Sequence, residues 1–151
     1  MFAAPTATRV LLVDDDPAFA ELITCVLTLD GVTVVGHAFD GAEGVELART
    51  LEPDLVLMDV RMPRMDGFEA TRQIVESRPG ARVLVVSSSK DTEDVERARE
   101  AGAVGYLPKD RVTAELVDWI QQLSEPAPQP ERRLPSFRVR GWHALRAAPQ
   151  S

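Results

Sequence analysis

Five short apolar or β-branched runs, at residues 9–13, 33–36, 55–58, 83–86 and 105–107, alternate with longer stretches of helical spacing. Runs of four or five aliphatic residues bounded by polar ones suit strands buried on both faces. Such strands read as parallel, because parallel neighbours need a crossover element between them. Five β/α units within residues 9–124 therefore predict an α/β fold, a doubly wound five-stranded parallel sheet. In the five-strand order 2-1-3-4-5 the first and third strands are neighbours, and ligands bind outside their carboxyl ends.

The intervening stretches carry helix signals. Asp16 reads as an N-cap before Pro17. Phe19, Leu22, Ile23, Val26 and Leu27 share one helical face, and Asp30-Gly31 ends that helix. A shorter helix places Ala42, Val45 and Ala48 inward, and a third uses Phe68, Thr71, Ile74 and Val75. Residues 91–101 are thinly apolar, with Val95, Ala98 and Ala101 among many charges. Leu116, Val117, Ile120 and Leu123 mark the last helix, with Thr113 as its N-cap.

The first and third strand runs both stop on carboxylates: VLLV is followed by Asp14, Asp15 and Asp16, and LVLM by Asp59. On adjacent strands, Asp14, Asp15 and Asp59 form a cluster of like charges that a cation relieves. All-oxygen ligands favour a hard ion, so Mg2+ is the expected cofactor. Asp16 is expected to serve only as a cap.

Charge and composition narrow the alternatives. The 151 residues carry a net charge of -7. Residues 125–151 hold five arginines against two glutamates, +3, which leaves -10 for residues 1–124. An acidic body disfavours nucleic-acid binding. No apolar run approaches ~18 residues, so no membrane span is expected. The N-terminal MFAAPTATR lacks the pattern of a secretory signal, and cytoplasmic localisation is expected. The single cysteine, Cys25, excludes an internal disulfide and reads as a small packed residue. EPAPQPERRLP, from residue 125, is too polar and proline-rich to order itself. The expected organisation is an N-terminal extension (1–8), one domain (9–124) and a disordered tail (125–151).

With Ser87 after VLVV and Lys109 in GYLPKD added to Asp14, Asp15 and Asp59, the chain resembles a receiver domain of a bacterial two-component response regulator. The resemblance covers roughly residues 8–124. It implies that Asp59 is the phosphoacceptor and that Asp14, Asp15 and the backbone carbonyl of Arg61 complete a Mg2+ site. It implies that Ser87 and Lys109 hold the phosphoryl group. It further implies that Ser87 and Tyr106 form the switch, although Tyr106 alone reads as a strand residue with its hydroxyl at the surface. Ser88 and Ser89 read as loop residues, and Ser89 could influence access of water to the phosphoryl group. His37 reads as structural, and Met58, Met62 and Met65 as packing and loop residues.

Many receivers have proline after this lysine; here Asp110 follows Lys109 and Pro108 precedes it. The Lys-Asp pair and Arg61 look more like the NarL-type branch. That branch normally adds a helix-turn-helix domain, for which residues 125–151 are too few. The expectation is a switch phosphorylated by a sensor histidine kinase or phosphotransfer protein. It would signal to a downstream protein, with homodimerisation left open and no specific DNA reading by this chain. Alternatives are a phosphate-independent adaptor and the receiver part of a truncated DNA-binding regulator. A phosphatase of the haloacid dehalogenase type, which uses an aspartyl nucleophile, needs a second aspartate two residues on; Arg61 stands there. The expected catalysis is limited to the chain's own aspartyl phosphorylation and dephosphorylation.

Overall fold

A computed structural model describes residues 8–124. Five strands alternate with five helices: β1 (Arg9–Val13), α1 (Pro17–Leu29), β2 (Thr33–Ala38), α2 (Gly41–Leu51), β3 (Leu55–Asp59), α3 (Gly67–Ser77), β4 (Val83–Ser87), α4 (Thr92–Ala101), β5 (Gly105–Pro108) and α5 (Val112–Ser124). All pairings are parallel and the order is β2-β1-β3-β4-β5. This is the doubly wound, flavodoxin-like topology expected from the alternation of runs.

The period of two along each strand divides the core. Val10, Leu12, Leu55, Leu57, Leu84 and Val86 face α1 and α5. Leu11, Val13, Val56 and Met58 face α2 and α3. Val85 and Tyr106 pack under α4 with Val95 and Ala98. Both sheet faces are covered, so β3 and β4 are buried along their whole length. Four strands extend beyond the apolar runs: β2 takes in His37 and Ala38, β3 Asp59, β4 Ser87 and β5 Pro108.

Several helix faces differ from the reading by spacing. In α1 the inward residues are Ala20, Ile23 and Leu27, whereas Leu22 is 49% exposed. The small Ala20 rotates the buried stripe, so Val26 is only partly covered and Cys25 is exposed rather than packed. In α2 the inward residues include Gly41 and Gly44 beside Ala48, and Ala42 faces solvent. Thr113 does not cap α5: Lys109–Arg111 forms a 3-10 turn that runs straight into Val112, leaving Thr113 inside the helix. Trp119 joins the core, although only aliphatic residues were expected there. Its ring fills the space over Gly105, where a Cβ would stand 2.2 Å from it. No peptide bond among the described residues is cis. The expected extension at residues 1–7 and the tail at 125–151 lie outside the described residues.

Candidate functional site at the carboxyl end of the sheet

Val13 pairs in register with Met58, so the residues after them, Asp14 and Asp59, leave neighbouring strands at the same rim. Carboxylate oxygens of Asp14, Asp15 and Asp59 lie within 4.8 Å of one another. Asp14 and Asp59 are each 5% exposed and Asp15 is open to solvent. These three residues are brought together as the sequence predicts.

Lys109 brings a positive charge to the cluster. The turn after β5 carries its Nζ to 3.1 Å from Asp14 Oδ2 and 3.6 Å from Asp59 Oδ1. The ammonium also stands over the Phe19 ring, 4.4 Å from its centroid, a cation–π contact that orients it. Among the described residues, Lys109 thus pairs with two of the three carboxylates. Burial and then the charge of Asp14 push the Asp59 carboxyl up to about 6; Lys109 opposes them, Asp15 adds to them and the Arg61 backbone N–H opposes them. Burial lowers the Lys109 ammonium, but the surrounding carboxylates, Asp59 foremost, outweigh it and the net displacement is upward. A divalent ion fits this donor set: hard oxygens, excess negative charge, and one ligand open to solvent.

Asp14 is held from three directions. Its Oδ1 accepts the Asp16 N–H at 2.8 Å. Its own N–H donates to Ala38 O at 3.0 Å. Its carbonyl accepts from His37 Nε2 at 2.9 Å, so that nitrogen carries the proton. His37 is thus structural, as expected, yet it supports a site residue, a connection that spacing did not reveal. Asp16 acts as the cap of α1, accepting from Ala18 and Phe19 N–H groups at 3.0 and 3.4 Å.

Asp59 is fixed from below by Gly67. The Gly67 N–H donates to Val60 O at 3.0 Å, and a Cβ there would meet Asp59 O at 2.1 Å and Val60 Cα at 2.7 Å. The start of α3 therefore lies against the backbone of the candidate phosphoacceptor, and only glycine allows that approach. The Asp66-Gly67 pair signals a turn in the sequence but not this contact.

Ser87 ends β4, one residue beyond the Asp59–Val86 register pair, and is fully buried. Its Oγ accepts the Ser89 N–H at 3.1 Å. The Tyr106 side chain is 1% exposed, and its hydroxyl donates to Ser89 O at 2.6 Å. The tyrosine therefore points inward, not to the surface, because the thin α4 stripe leaves a gap that the ring fills. Burial, foremost, pushes its phenol up, so it stays a donor.

Arg61 lies in the loop after β3 with its side chain largely in solvent, 3.7 Å from Asp94 of α4. Arg97 of α4 reaches Asp66 at 3.8 Å and covers the Phe68 ring at 4.2 Å from its centroid. Asp15, Arg61, Met62, Phe68 and Arg97 line a groove of about 330 Å3 beside the acidic cluster. Sequence reading picked out neither arginine contact, since ion pairs between distant segments leave no periodic trace.

The architecture and the acidic rim define a signalling receiver. The chain belongs to the response regulator receiver domain family, whose model matches residues 10–121. The response regulator GacA of Pseudomonas viridiflava is 43% identical over 114 residues, 75% of this chain and 53% of its own length. The chain thus spans about half the length of the curated relatives it matches. The receiver domain of a putative NarL from Mycobacterium tuberculosis has a TM-score of 0.75 at 37% identity, covering 82% of this chain and all of that one. A CheY of Borrelia burgdorferi, solved in a complex with CheX, BeF3 and Mg2+, has a TM-score of 0.74 at 26% identity; the match covers 79% of this chain and 90% of that one. Receiver domains are signalling modules rather than turnover enzymes, consistent with the expected class. No helix among the described residues is long and apolar enough to cross a membrane.

Proposed function

We propose that Asp59 accepts a phosphoryl group from a sensor histidine kinase or phosphotransfer protein and that the resulting acyl phosphate switches a protein-binding surface. The observation that carries this reading is the three-carboxylate cluster at the ends of β1 and β3, with Lys109 from the end of β5 paired to two of its members. Mg2+ held by Asp14, Asp15, Asp59 and the Arg61 carbonyl would neutralise the phosphoryl oxygens and the carboxylates. The CheY complex with BeF3 and Mg2+ supports that assignment in a relative of the same fold.

The chemistry asks little covalent work of the chain. An Asp59 Oδ attacks phosphorus as the P–N bond of the donor phosphohistidine breaks, and the departing imidazole nitrogen takes up a proton. Asp59 must be ionised to attack, and a carboxyl near 6 is mostly ionised at neutral pH. Lys109 follows the charge from the carboxylate to the phosphoryl oxygens, and the buried Ser87 hydroxyl donates to one of them. That donation redirects the Ser87–Ser89–Tyr106 chain, which transmits the change to α4, β5 and α5. The domain works in the cytoplasm, the downstream partner is a protein, homodimerisation through the switched face is compatible with this role, and the acidic body argues against sequence-specific DNA reading.

The test is intact-protein mass after incubation with acetyl phosphate and Mg2+. One added phosphoryl group is expected, dependent on Mg2+ and absent in Asp59→Asn. Absence of labelling in the parent protein, or equal labelling in the Asn variant, would refute the assignment and favour an adaptor.

A further inference from the structure

The solvent side of α1 is unlike that of any other helix in the domain. Its sequence, PAFAELITCVLTL, holds a single charged residue, Glu21. Leu22 is 49% and Leu29 is 90% exposed, Cys25 is exposed and Val26 is half-covered. At 100° per residue these four side chains fall within one stripe, opposite Ala20, Ile23 and Leu27. A continuous apolar stripe facing water calls for a cover.

We propose that the cover is the chain's own segment 134–146, LPSFRVRGWHALR. Three observations select this occupant. The first is position: Leu123, at the end of α5, packs in the same core cluster as Leu27, at the end of α1. Helices α1 and α5 are in contact on the same side of the sheet, so the last described residue, Ser124, ends the helix that neighbours the stripe. The second is reach. Phe137 lies 13 residues beyond Ser124, a span of ~40 Å when extended, whereas the 13 residues of α1 rise only ~20 Å. The third is complementarity. The segment joins Phe137, Val139, Trp142 and Leu145 to Arg138, Arg140 and Arg146. Between Arg9 and Arg49 the domain has no lysine or arginine, and Glu21 and Asp30 flank the stripe. An apolar and basic segment matches an apolar stripe with an acidic surround. Tethering makes the association intramolecular, so a weak contact suffices.

Cys25, the only cysteine, is a built-in reporter at the middle of the stripe. The full chain, without metal, is treated with a neutral thiol reagent and its modification rate followed by intact mass. The rate is compared with the guanidinium-unfolded chain and with the Phe137→Ser/Trp142→Ser variant. The substitutions lie outside the described residues, and an unchanged melting transition of α1–α5 shows that the fold is intact. The expected result is protection of Cys25 in the full chain by about tenfold or more, lost in the double variant and independent of protein concentration. A second variant, Leu29→Lys, should release the same protection and shift Trp142 emission to longer wavelength. Equal rates in the parent and the double variant would overturn the proposal. So would protection that grows with protein concentration, which would make a second copy the cover, and protection seen only when another protein is added.

Discussion

Replacing Asp59 by Asn should stabilise the metal-free domain, by an amount set by pH. The Asp59 carboxyl stands near 6 in the folded chain, against an ordinary value of 3.8. A raised carboxyl binds more protons folded than unfolded between those two values, so its contribution to stability falls as pH rises through that window. Above pH 6 the whole penalty is present: about two pH units, or about 3 kcal/mol. At pH 4.5 most of it has gone, leaving about 1 kcal/mol. The Lys109 attraction is already contained in this net displacement. A buried amide costs about 1 kcal/mol where it lacks partners. Asp59→Asn should therefore raise unfolding free energy by roughly 2 kcal/mol at pH 8 and by close to nothing at pH 4.5. Urea denaturation in EDTA at the two pH values reads this directly. Saturating Mg2+ should shrink the pH 8 difference, because the ion stabilises the parent more. A variant less stable than the parent at pH 8, or a gain unchanged between the two pH values, would refute the electrostatic account.

Three other outcomes follow from the same geometry. Mg2+ should stabilise the parent by about 2.7 kcal/mol at a hundred times its dissociation constant; Asp15→Ala should lose most of this while gaining under about 1 kcal/mol without metal, both read by thermal melting. Gly67→Ala forces a Cβ against Asp59 O, so it should cost about 2 kcal/mol and slow acetyl phosphate labelling; parent-like melting and labelling would show that α3 can retreat freely. Tyr106→Phe removes the donor to Ser89 O, costing about 1 kcal/mol, and should speed amide exchange at Ser89–Asp91 while leaving labelling of Asp59 intact.

The sheet was legible because buried parallel strands leave short unbroken apolar runs, and strand order follows once the acidic rim picks out β1 and β3. The placement of Asp14, Asp15, Asp59, Ser87 and Lys109 at one rim was legible because each ends or follows a strand, where position along the chain sets position in space. Helix faces were read less well. On α1, Leu22 and Val26 satisfied the period of a buried face, yet Ala20 lies closer to the sheet and turns them outward. Spacing ranks positions by apolarity and cannot see that a small residue allows a closer approach. Tyr106 was misjudged for a related reason: α4 presents mainly alanines, and the gap they leave draws the ring inward. The supports of the site, His37 on Asp14 and Gly67 under Asp59, join segments more than seven residues apart, and no local pattern encodes them.

Two physical links run from Asp59 to α4, and their strengths differ. One follows the loop after β3, through Arg61–Asp94 at 3.7 Å and Arg97–Asp66 at 3.8 Å. Both arginines are more than half exposed, and such pairs contribute about 0–1 kcal/mol each and weaken with salt. The other runs inside, from Ser87 Oγ to the Ser89 backbone and on to the Tyr106 hydroxyl. Ser87 and Tyr106 are buried and Ser89 is half-buried, so leaving a buried member unpaired costs about 1–3 kcal/mol. On the proposed function, a phosphoryl group on Asp59 would accept from the Ser87 hydroxyl, one residue past the register partner of Asp59. It would therefore act first on the stronger, less screened link. The outer ion pairs would adjust at little cost and let α4 move once the inner chain rearranged. Val95, Ala98 and Ala101 are its buried contacts, and two alanines and a valine hold a helix loosely enough for that inner chain to decide where it rests.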